Sequence, residues 1–222
     1  MIYEPKPLQL EKSLYIASGS ERHVYLHPTD PQKLLKVMRP HEDLGKRFTF
    51  RDITTRLFPS VRPRLICKEY DEYTRIQLNN PQPDQRLPIT HMYGFTHTNL
   101  GLACVAERVA GENSQVGETL RQKIDAGTLD DADLSALNLL VSQFYQLGIR
   151  AGDIKLPNLV FGTRDAGYEC VLVDGFGDTH AILVRSLGKW ANSLGLNDSF
   201  KAIGERSGLT WNKSERSFTF PA

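Results

Sequence analysis

The chain contains 222 residues, with 27 Lys or Arg against 26 Asp or Glu, so its formal net charge is +1. This length suits one large domain or two small lobes, and the balanced charge excludes the strongly basic surface that nucleic acid and anionic membranes attract. No stretch approaches the roughly 20 apolar residues of a membrane span, and residues 1–19 lack the basic and then apolar pattern of a secretory signal.

The first third of the chain predicts a small sheet followed by a helix. SLYIASGSERHVYLHP (13–28) indicates a strand, a Ser-Gly-Ser turn and a second strand. KLLKVMRP (33–40) predicts a third short strand that ends at proline. RPRLICKEYDEYTRIQL (62–78) has apolar and aromatic residues at helical spacing, which predicts an amphipathic helix.

The middle of the chain begins with a proline-rich connector over 79–90. HMYGFTHTNLGLACVAERVAG (91–111) predicts two strands around a turn at Thr98 and Asn99. SQVGETLRQKIDAG (114–127) predicts a helix ended by its last glycine. LDDADLSALNLLVSQFYQLG (129–148) is the clearest helical pattern, with an acidic first turn that suits the positive end of the helix dipole.

A strand hairpin is predicted after this helix, running through VF (160–161), a GTRDAGY turn and CVLVD, and residues 180–222 are predicted to be helical and then irregular. Strands therefore precede helices, which favours an α+β chain over alternating βαβ units. We expect a sheet-rich N-terminal lobe over 1–110 and a helical C-terminal lobe over 111–222.

Three cysteines occur at wide spacing, Cys67, Cys104 and Cys170. They form neither a CxxC metal site nor a complete disulfide framework. We therefore expect small buried thiols in a protein of the reducing cytoplasm.

Polar residues in AGDIKLPNLVF (151–161) stand between the predicted helix and strand. Asp153, Lys155 and Asn158 lie within six residues, and Asp174 follows the apolar strand CVLV. One interpretation is an ordinary turn, since Asp, Asn, Gly and Pro are turn residues. The other is phosphoryl transfer, in which one carboxylate orients a hydroxyl, a lysine neutralises the phosphoryl group, and an amide oxygen and a second carboxylate hold Mg²⁺.

The order and spacing of these residues resemble the protein-kinase-like superfamily. Asp153 and Asn158 match its D-x-x-x-x-N catalytic loop, with Lys155 two positions after the Asp, and DGFGD resembles its metal-binding D-F-G element. The resemblance implies a compact two-lobed protein-kinase-like α+β fold, with an antiparallel-sheet N-lobe and a reduced helical C-lobe. It implies Asp153 and Lys155 as catalytic residues, and Asn158 and Asp174 as Mg²⁺ ligands.

The N-terminal half extends the resemblance. ASGSERHV aligns with the glycine-rich loop but keeps one glycine, so Gly19 and Ser20 would approach phosphate, and Arg22 would either contact phosphate or crowd the site. LLKVM resembles the strand whose lysine, here Lys36, pairs the phosphates of ATP, although exposed strand-edge lysines are common. CVAERV resembles the hinge that meets adenine through backbone groups from Glu107 to Val109.

The carboxylate partner of Lys36 is expected on the helix of 62–78. Glu69 is the preferred residue and Glu72 the alternative, because both lie in KEYDEYTRI and spacing does not separate them. The other interpretation of each glutamate is an ordinary solvated charge on the helix surface.

More narrowly, GSERHVYLHP and DGFGD resemble the bacterial PhoP regulatory network protein YrbL family, a kinase-like group, over nearly the whole chain. The chain departs from protein kinases in three ways. Ala151-Gly152 stands where His-Arg precedes the catalytic Asp, no A-P-E element follows DGFGD, and only 48 residues follow Asp174. These departures argue against control by activation-loop phosphorylation and against the usual peptide-docking surface.

The resemblance implies an ATP- and Mg²⁺-dependent kinase that moves the γ-phosphoryl group to a hydroxyl acceptor. The alternative is a pseudokinase, an ATP-binding or empty scaffold that acts through protein contacts. For an active enzyme the acceptor is a small molecule or a protein, and the missing docking elements favour the small molecule.

Overall fold

The computed structural model describes residues 6–19, 22–39, 61–80, 86–111, 115–164, 167–177 and 189–221. These residues form an α+β structure with four α-helices and an antiparallel sheet, which confirms the predicted class. In chain order the elements are β1 (Tyr15–Ser18), β2 (Arg22–Leu26), β3 (Lys33–Met38), α1 (Val61–Asn79), β4 (Met92–Thr98), β5 (Gly101–Glu107), β6 (Glu118–Thr119), α2 (Leu120–Ala126), α3 (Asp131–Gln146), β7 (Leu159–Arg164), β8 (Gly167–Leu172), α4 (Lys189–Ser207), β9 (Thr210–Asn212) and β10 (Ser217–Thr219).

The chain divides into two compact units, the first made of residues 1–62 and 91–108. Its five strands form an antiparallel sheet in the order β1-β2-β3-β5-β4. Alternate residues of a strand face opposite sides, so one face can be wholly apolar. That face buries Tyr25, Leu35, Val37, Ala103 and Val105 together with Leu10, and Leu8 and Leu14 of the amino-terminal segment pack against it.

The second unit contains residues 63–90 and 109–222. Sequence reasoning placed the helix of 62–78 in the first lobe, whereas nearly all of α1 groups with this second unit. Its core lies where α3 packs on the β7–β8 hairpin. The sequence of this helix predicts an apolar stripe made of Leu134, Leu137, Leu140, Val141, Phe144, Tyr145 and Leu147. Four of these side chains, Leu137, Leu140, Val141 and Phe144, are almost fully buried, whereas the other three are half-buried.

Helix α2 is shorter than predicted. Thr119 accepts from the Gln122 N–H through its side chain, and the Gln122 side chain accepts from the Thr119 N–H, so a capping box starts the helix at Leu120. Residues 118–119 instead form a short strand against β7. The predicted stop is correct, since Gly127 caps the helix in the left-handed conformation with φ of 67°.

The carboxyl-terminal segment is not irregular, as the sequence suggested, but contains the β9–β10 hairpin. The hairpin folds because its aromatic residues bury against α4: Trp211 and Phe218 both contact the Phe200 ring. The Asn138 side chain of α3 donates to the Phe218 carbonyl and accepts from its N–H. Two three-residue strands are too short to give a clear alternating pattern.

The cysteines follow the prediction in part. Cys104 and Cys170 are buried, whereas Cys67 is exposed on α1, and all three are free thiols. Burial raises the pKa of the Cys170 thiol. Across the described ranges, no helix combines the length and apolar character needed to cross a membrane.

A polar cluster around the buried carboxylate of Asp133 ties α2, α3 and β8 together. The Asp133 side chain is 1% exposed and lies 3.0 Å from Lys123 Nζ, and it accepts from the Tyr168 hydroxyl and the Asp130 N–H. A buried carboxylate needs such partners, because burial removes its hydration. Burial and the hydrogen bond to Asp133 raise the pKa of Tyr168.

Tyr168→Phe tests this cluster. The folded state holds the phenol protonated, so its contribution to stability is present below its ordinary pKa of about 10 and is lost as pH rises further. We expect the variant to lose about 1 kcal/mol of unfolding free energy at pH 8. The difference from wild type should shrink above pH ~10, as measured by urea unfolding.

Tyr73→Phe is the matched control. Its hydroxyl accepts from Gln77 at the exposed surface of α1, so we expect a change of no more than about 0.5 kcal/mol. Equal losses in the two variants would contradict the assignment of a special role to Tyr168.

Candidate functional site

Two loops of the second unit are joined through their backbones. The Gly152 N–H donates to the Gly177 carbonyl at 3.0 Å, and the Asp153 N–H donates to the Gly175 carbonyl at 3.2 Å. In return, the Gly177 N–H donates to the Arg150 carbonyl at 2.8 Å. The 150–158 loop, which carries Asp153, and the 174–177 loop, which opens with Asp174, are therefore fixed side by side.

Two glycines of the 174–177 loop allow it to lie close to the 150–158 loop and to α1. Gly175 has φ of +83°, and a Cβ there would lie 2.5 Å from the Asp153 carbonyl oxygen. Gly177 has φ of +92°, and a Cβ there would lie 2.7 Å from the Lys68 carbonyl oxygen. Both positions combine a left-handed backbone with contacts that exclude any side chain. Between them, Phe176 is fully buried and anchors the loop.

Asn158 ends a short 3-10 turn, Leu156–Asn158, which contains a proline. Its side-chain Nδ2 donates to the Asp153 carbonyl at 3.2 Å, so the amide oxygen is the ligand atom that the side chain can offer. The Asn158 carbonyl accepts from the Val173 N–H at 2.9 Å. Because Val173 directly precedes Asp174, these bonds tie Asn158 to both loops.

Lys155 lies beside Asp153. Its Nζ is 2.8 Å from Asp153 Oδ2, and the two side chains are 48% and 42% exposed. Exposed ion pairs contribute little to stability, typically about 0–1 kcal/mol. The Lys155–Asp153 ion pair therefore contributes little to the stability of the fold.

Helix α1 presents its two predicted carboxylates to different loops. Glu69 is buried, and its Oε1 accepts from the Gly175 N–H at 3.3 Å. Glu72 is also buried, and it pairs with Arg75 and accepts from the Arg150 N–H at 2.7 Å. The interpretation of either as a solvated surface charge is wrong. Sequence reasoning missed Arg75, although its position three residues after Glu72 is typical of helical ion pairs.

Lys36 lies in the interior of the first unit's sheet. It stands on β3 between Val24 of β2 and Cys104 of β5 in the strand register, and it is 7% exposed. The alternative of an exposed strand-edge lysine is therefore wrong. A lysine this deeply buried is uncommon without a charged or polar partner.

Gly19 lies in the turn between β1 and β2, where its N–H donates to the Arg22 carbonyl at 2.8 Å. Among the described residues, the nearest atom to a Cβ built at Gly19 would be that carbonyl oxygen, at an ordinary contact distance of 3.6 Å. Arg22 is 9% exposed. Ser20 lies outside the described residues.

The predicted hinge residues both have structural partners. The Glu107 side chain accepts from the His91 N–H at 3.1 Å, and its own N–H donates to the His91 carbonyl at 2.9 Å. The Val109 carbonyl accepts from the Gly117 N–H at 2.9 Å, and its side chain packs with Val160 in the core. Adenine binding at this segment stays a prediction.

The metal chemistry of the site rests on few ligands. No group of three or more His, Cys, Asp or Glu side chains in the described ranges is placed to hold a metal ion. The predicted set is an amide oxygen and one carboxylate, Asn158 and Asp174. Mg²⁺ commonly takes one or two protein ligands and completes its shell with phosphate oxygens and water, so this donor set suits Mg²⁺ bound to a nucleotide.

Comparison with known proteins places the chain in a family. No curated protein matches it at a significant level. A sequence model of the family described as PhoP regulatory network protein YrbL matches residues 8–207, which is most of the chain. The chain therefore belongs to the PhoP regulatory network protein YrbL family.

Proposed function

We propose that this protein has a two-lobed kinase-like fold and is an ATP- and Mg²⁺-dependent phosphotransferase that moves the γ-phosphoryl group to a hydroxyl acceptor. The observation that carries the proposal is the backbone pairing of the 150–158 and 174–177 loops, which brings Asp153 and Asn158 beside the segment after β8 that carries Asp174. An ordinary turn at 150–158 would not need a second loop whose glycine, Gly175, has its Cβ position blocked by Asp153. The cytoplasm is the proposed location, since it supplies ATP.

Asp153 is the proposed base, orienting the acceptor hydroxyl and accepting its proton. Lys155 lies 2.8 Å from Asp153 Oδ2 and is the proposed stabiliser of negative charge on the transferring group. Both side chains are partly exposed, as groups that meet a diffusing acceptor must be. The acceptor is an unknown small molecule or protein.

Asn158 and Asp174 are the proposed metal ligands. Bound Mg²⁺ would neutralise phosphate charge. Asn158 fits the role because its amide nitrogen is held by the Asp153 carbonyl, which fixes the orientation of the amide oxygen. Asp174 fits because it directly follows Val173, whose N–H donates to the Asn158 carbonyl.

Lys36, Glu69, Gly19 and Ser20 are the proposed nucleotide-side residues, with backbone groups from Glu107 to Val109 for adenine. The contacts of α1 support Glu69 over Glu72 as the carboxylate of this set. Glu72 is engaged by Arg75 and the Arg150 N–H, whereas Glu69 contacts the 174–177 loop through Gly175.

A second candidate function is a regulatory scaffold that binds ATP weakly or not at all. The observation that favours it is the β1–β2 turn, in which Gly19 is the one glycine where the kinase pattern has three. The family description, which refers to a regulatory network, agrees with such a role.

Asp174→Ala tests the metal site. We expect wild type to bind ATP more tightly with Mg²⁺ than without it, and the variant to lose at least about tenfold in affinity, because a charged ligand of the metal is gone. Calorimetric titration with and without Mg²⁺ measures both effects. Asp125→Ala is the matched control, since that carboxylate is 62% exposed.

The two candidate functions predict different titrations. Binding that depends on Mg²⁺ and on Asp174 supports the phosphotransferase, and a screen of radiolabel transfer to metabolites and to lysate proteins would then find the acceptor. Absence of ATP binding by wild type would contradict it and favour the scaffold.

Gly19→Ala tests the phosphate loop. We expect the unfolding free energy to change by no more than about 0.5 kcal/mol, because the added methyl group meets only open space or ordinary contacts. ATP affinity should fall about three- to tenfold if the backbone at Gly19 approaches phosphate. Unchanged affinity in a stable variant would remove Gly19 from the site.

A further inference from the structure

Glu72 is a buried carboxylate that the proposed reaction does not use. Its side chain is 3% exposed. Oε2 accepts from Arg75 Nε at 2.9 Å, and Oε1 accepts from Arg75 Nη2 and from the Arg150 N–H. Arg75 Nη2 also donates to the Gly148 carbonyl at 2.8 Å. Two side chains of α1 thus hold the backbone where α3 ends and the 150–158 loop begins.

This arrangement is costly to disturb. A buried carboxylate without its partner keeps the desolvation penalty and loses the compensating attraction. The bidentate contact with Glu72 also raises the pKa of the Arg75 guanidinium, so this side chain stays charged. The pair therefore favours one position of Gly148 and Arg150 relative to α1.

The Glu72 contact with the Arg150 N–H lies three residues before Asp153. The Arg150 carbonyl accepts from the Gly177 N–H, and the Asp153 N–H donates to the Gly175 carbonyl. Gly175 is in turn bonded to Glu69 of α1. The 150–158 loop therefore lies between a helix and a second loop that the same helix contacts.

A third contact comes from α4, where Asn192 Nδ2 donates to the Ile149 carbonyl at 3.0 Å. The two residues immediately before Asp153 are Ala151 and Gly152. Neither has a side chain that can form a hydrogen bond, so residues outside the loop hold this stretch through its backbone, and the Arg150 guanidinium adds a contact 4.0 Å from Glu72 Oε2.

We propose that Glu72 and Arg75 are positioning residues that set the orientation of Asp153 through the backbone of Gly148 and Arg150. The assignment of Asp153 as the group being positioned rests on the proposed function. Neither side chain touches the acceptor or the nucleotide in this account. A purely structural ion pair would stabilise the whole second unit without a specific effect on the 150–158 loop.

Amide hydrogen exchange of the ligand-free protein separates these two roles. In Glu72→Gln we expect the amides of Arg150, Gly152 and Asp153 to exchange at least about tenfold faster, the effect of losing one charge-assisted hydrogen bond. The amides of α3 should keep their wild-type rates. Unchanged loop rates, or equal acceleration of α3, would overturn the proposal.

Glu205→Gln is the matched control, because the same chemical change falls on an exposed pair with Lys201, 65% exposed on both sides. It should leave both sets of amides unchanged. Arg75→Lys is the milder variant if Glu72→Gln folds poorly. It keeps the positive charge but loses the bidentate contact, so its loop amides should exchange at rates between those of wild type and Glu72→Gln.

Enzyme kinetics add a second readout. Where transfer to an acceptor is detected, Glu72→Gln should lower kcat about tenfold or more and leave KM for ATP within about twofold, because orientation of Asp153 changes the reacting geometry and not nucleotide binding. Arg75→Lys should recover part of kcat. An effect confined to KM would overturn the proposal.

Failure of wild type to bind Mg·ATP would refute the proposed function alone. The exchange measurement would still decide whether Glu72 and Arg75 hold the 150–158 loop.

Discussion

The backbone pairing between the 150–158 and 174–177 loops is the constraint on which the rest of the second unit depends. Three hydrogen bonds join residues 150–153 to residues 175–177. The approach requires a glycine at 175, where a Cβ would lie 2.5 Å from the Asp153 carbonyl oxygen, and Gly177 lets the same loop approach Lys68 of α1. The pairing fixes Asp153 beside the start of the second loop. Helix α1 then contacts both loops through Glu69 and Glu72.

Burial and exposure divide the polar residues of this region into two groups. Glu69 and Glu72 are about 4% exposed and bind backbone N–H groups of the loops. Asp153 and Lys155 are 42% and 48% exposed and pair with each other at the surface. The buried carboxylates hold the backbones of the two loops, and the exposed pair lies at the surface. Such a division is what a pre-organised site requires.

The sequence was informative wherever a local pattern decided the structure. The apolar stripe of α3 and the spacing of Asp153, Asn158 and Asp174 were readable along the chain. Sequence patterns did not predict the features that depend on contacts between residues far apart in the chain. The Arg150 N–H that binds Glu72 is 78 residues away, so spacing alone left Glu69 and Glu72 equivalent. The β9–β10 hairpin was missed because burial of Trp211 and Phe218 against α4 forms it, and the exposure of Cys67 depends on which side of α1 it occupies.

We propose that the two joined loops bind a metal–nucleotide complex, and a crystal structure with Mg²⁺ and a non-hydrolysable ATP analogue tests this most directly. We predict a metal ion about 2.0–2.1 Å from the Asn158 amide oxygen and from an Asp174 carboxylate oxygen. We also predict that the 150–158 and 174–177 loops keep their backbone pairing. A nucleotide bound elsewhere, or a metal ion that contacts neither residue, would contradict this proposal.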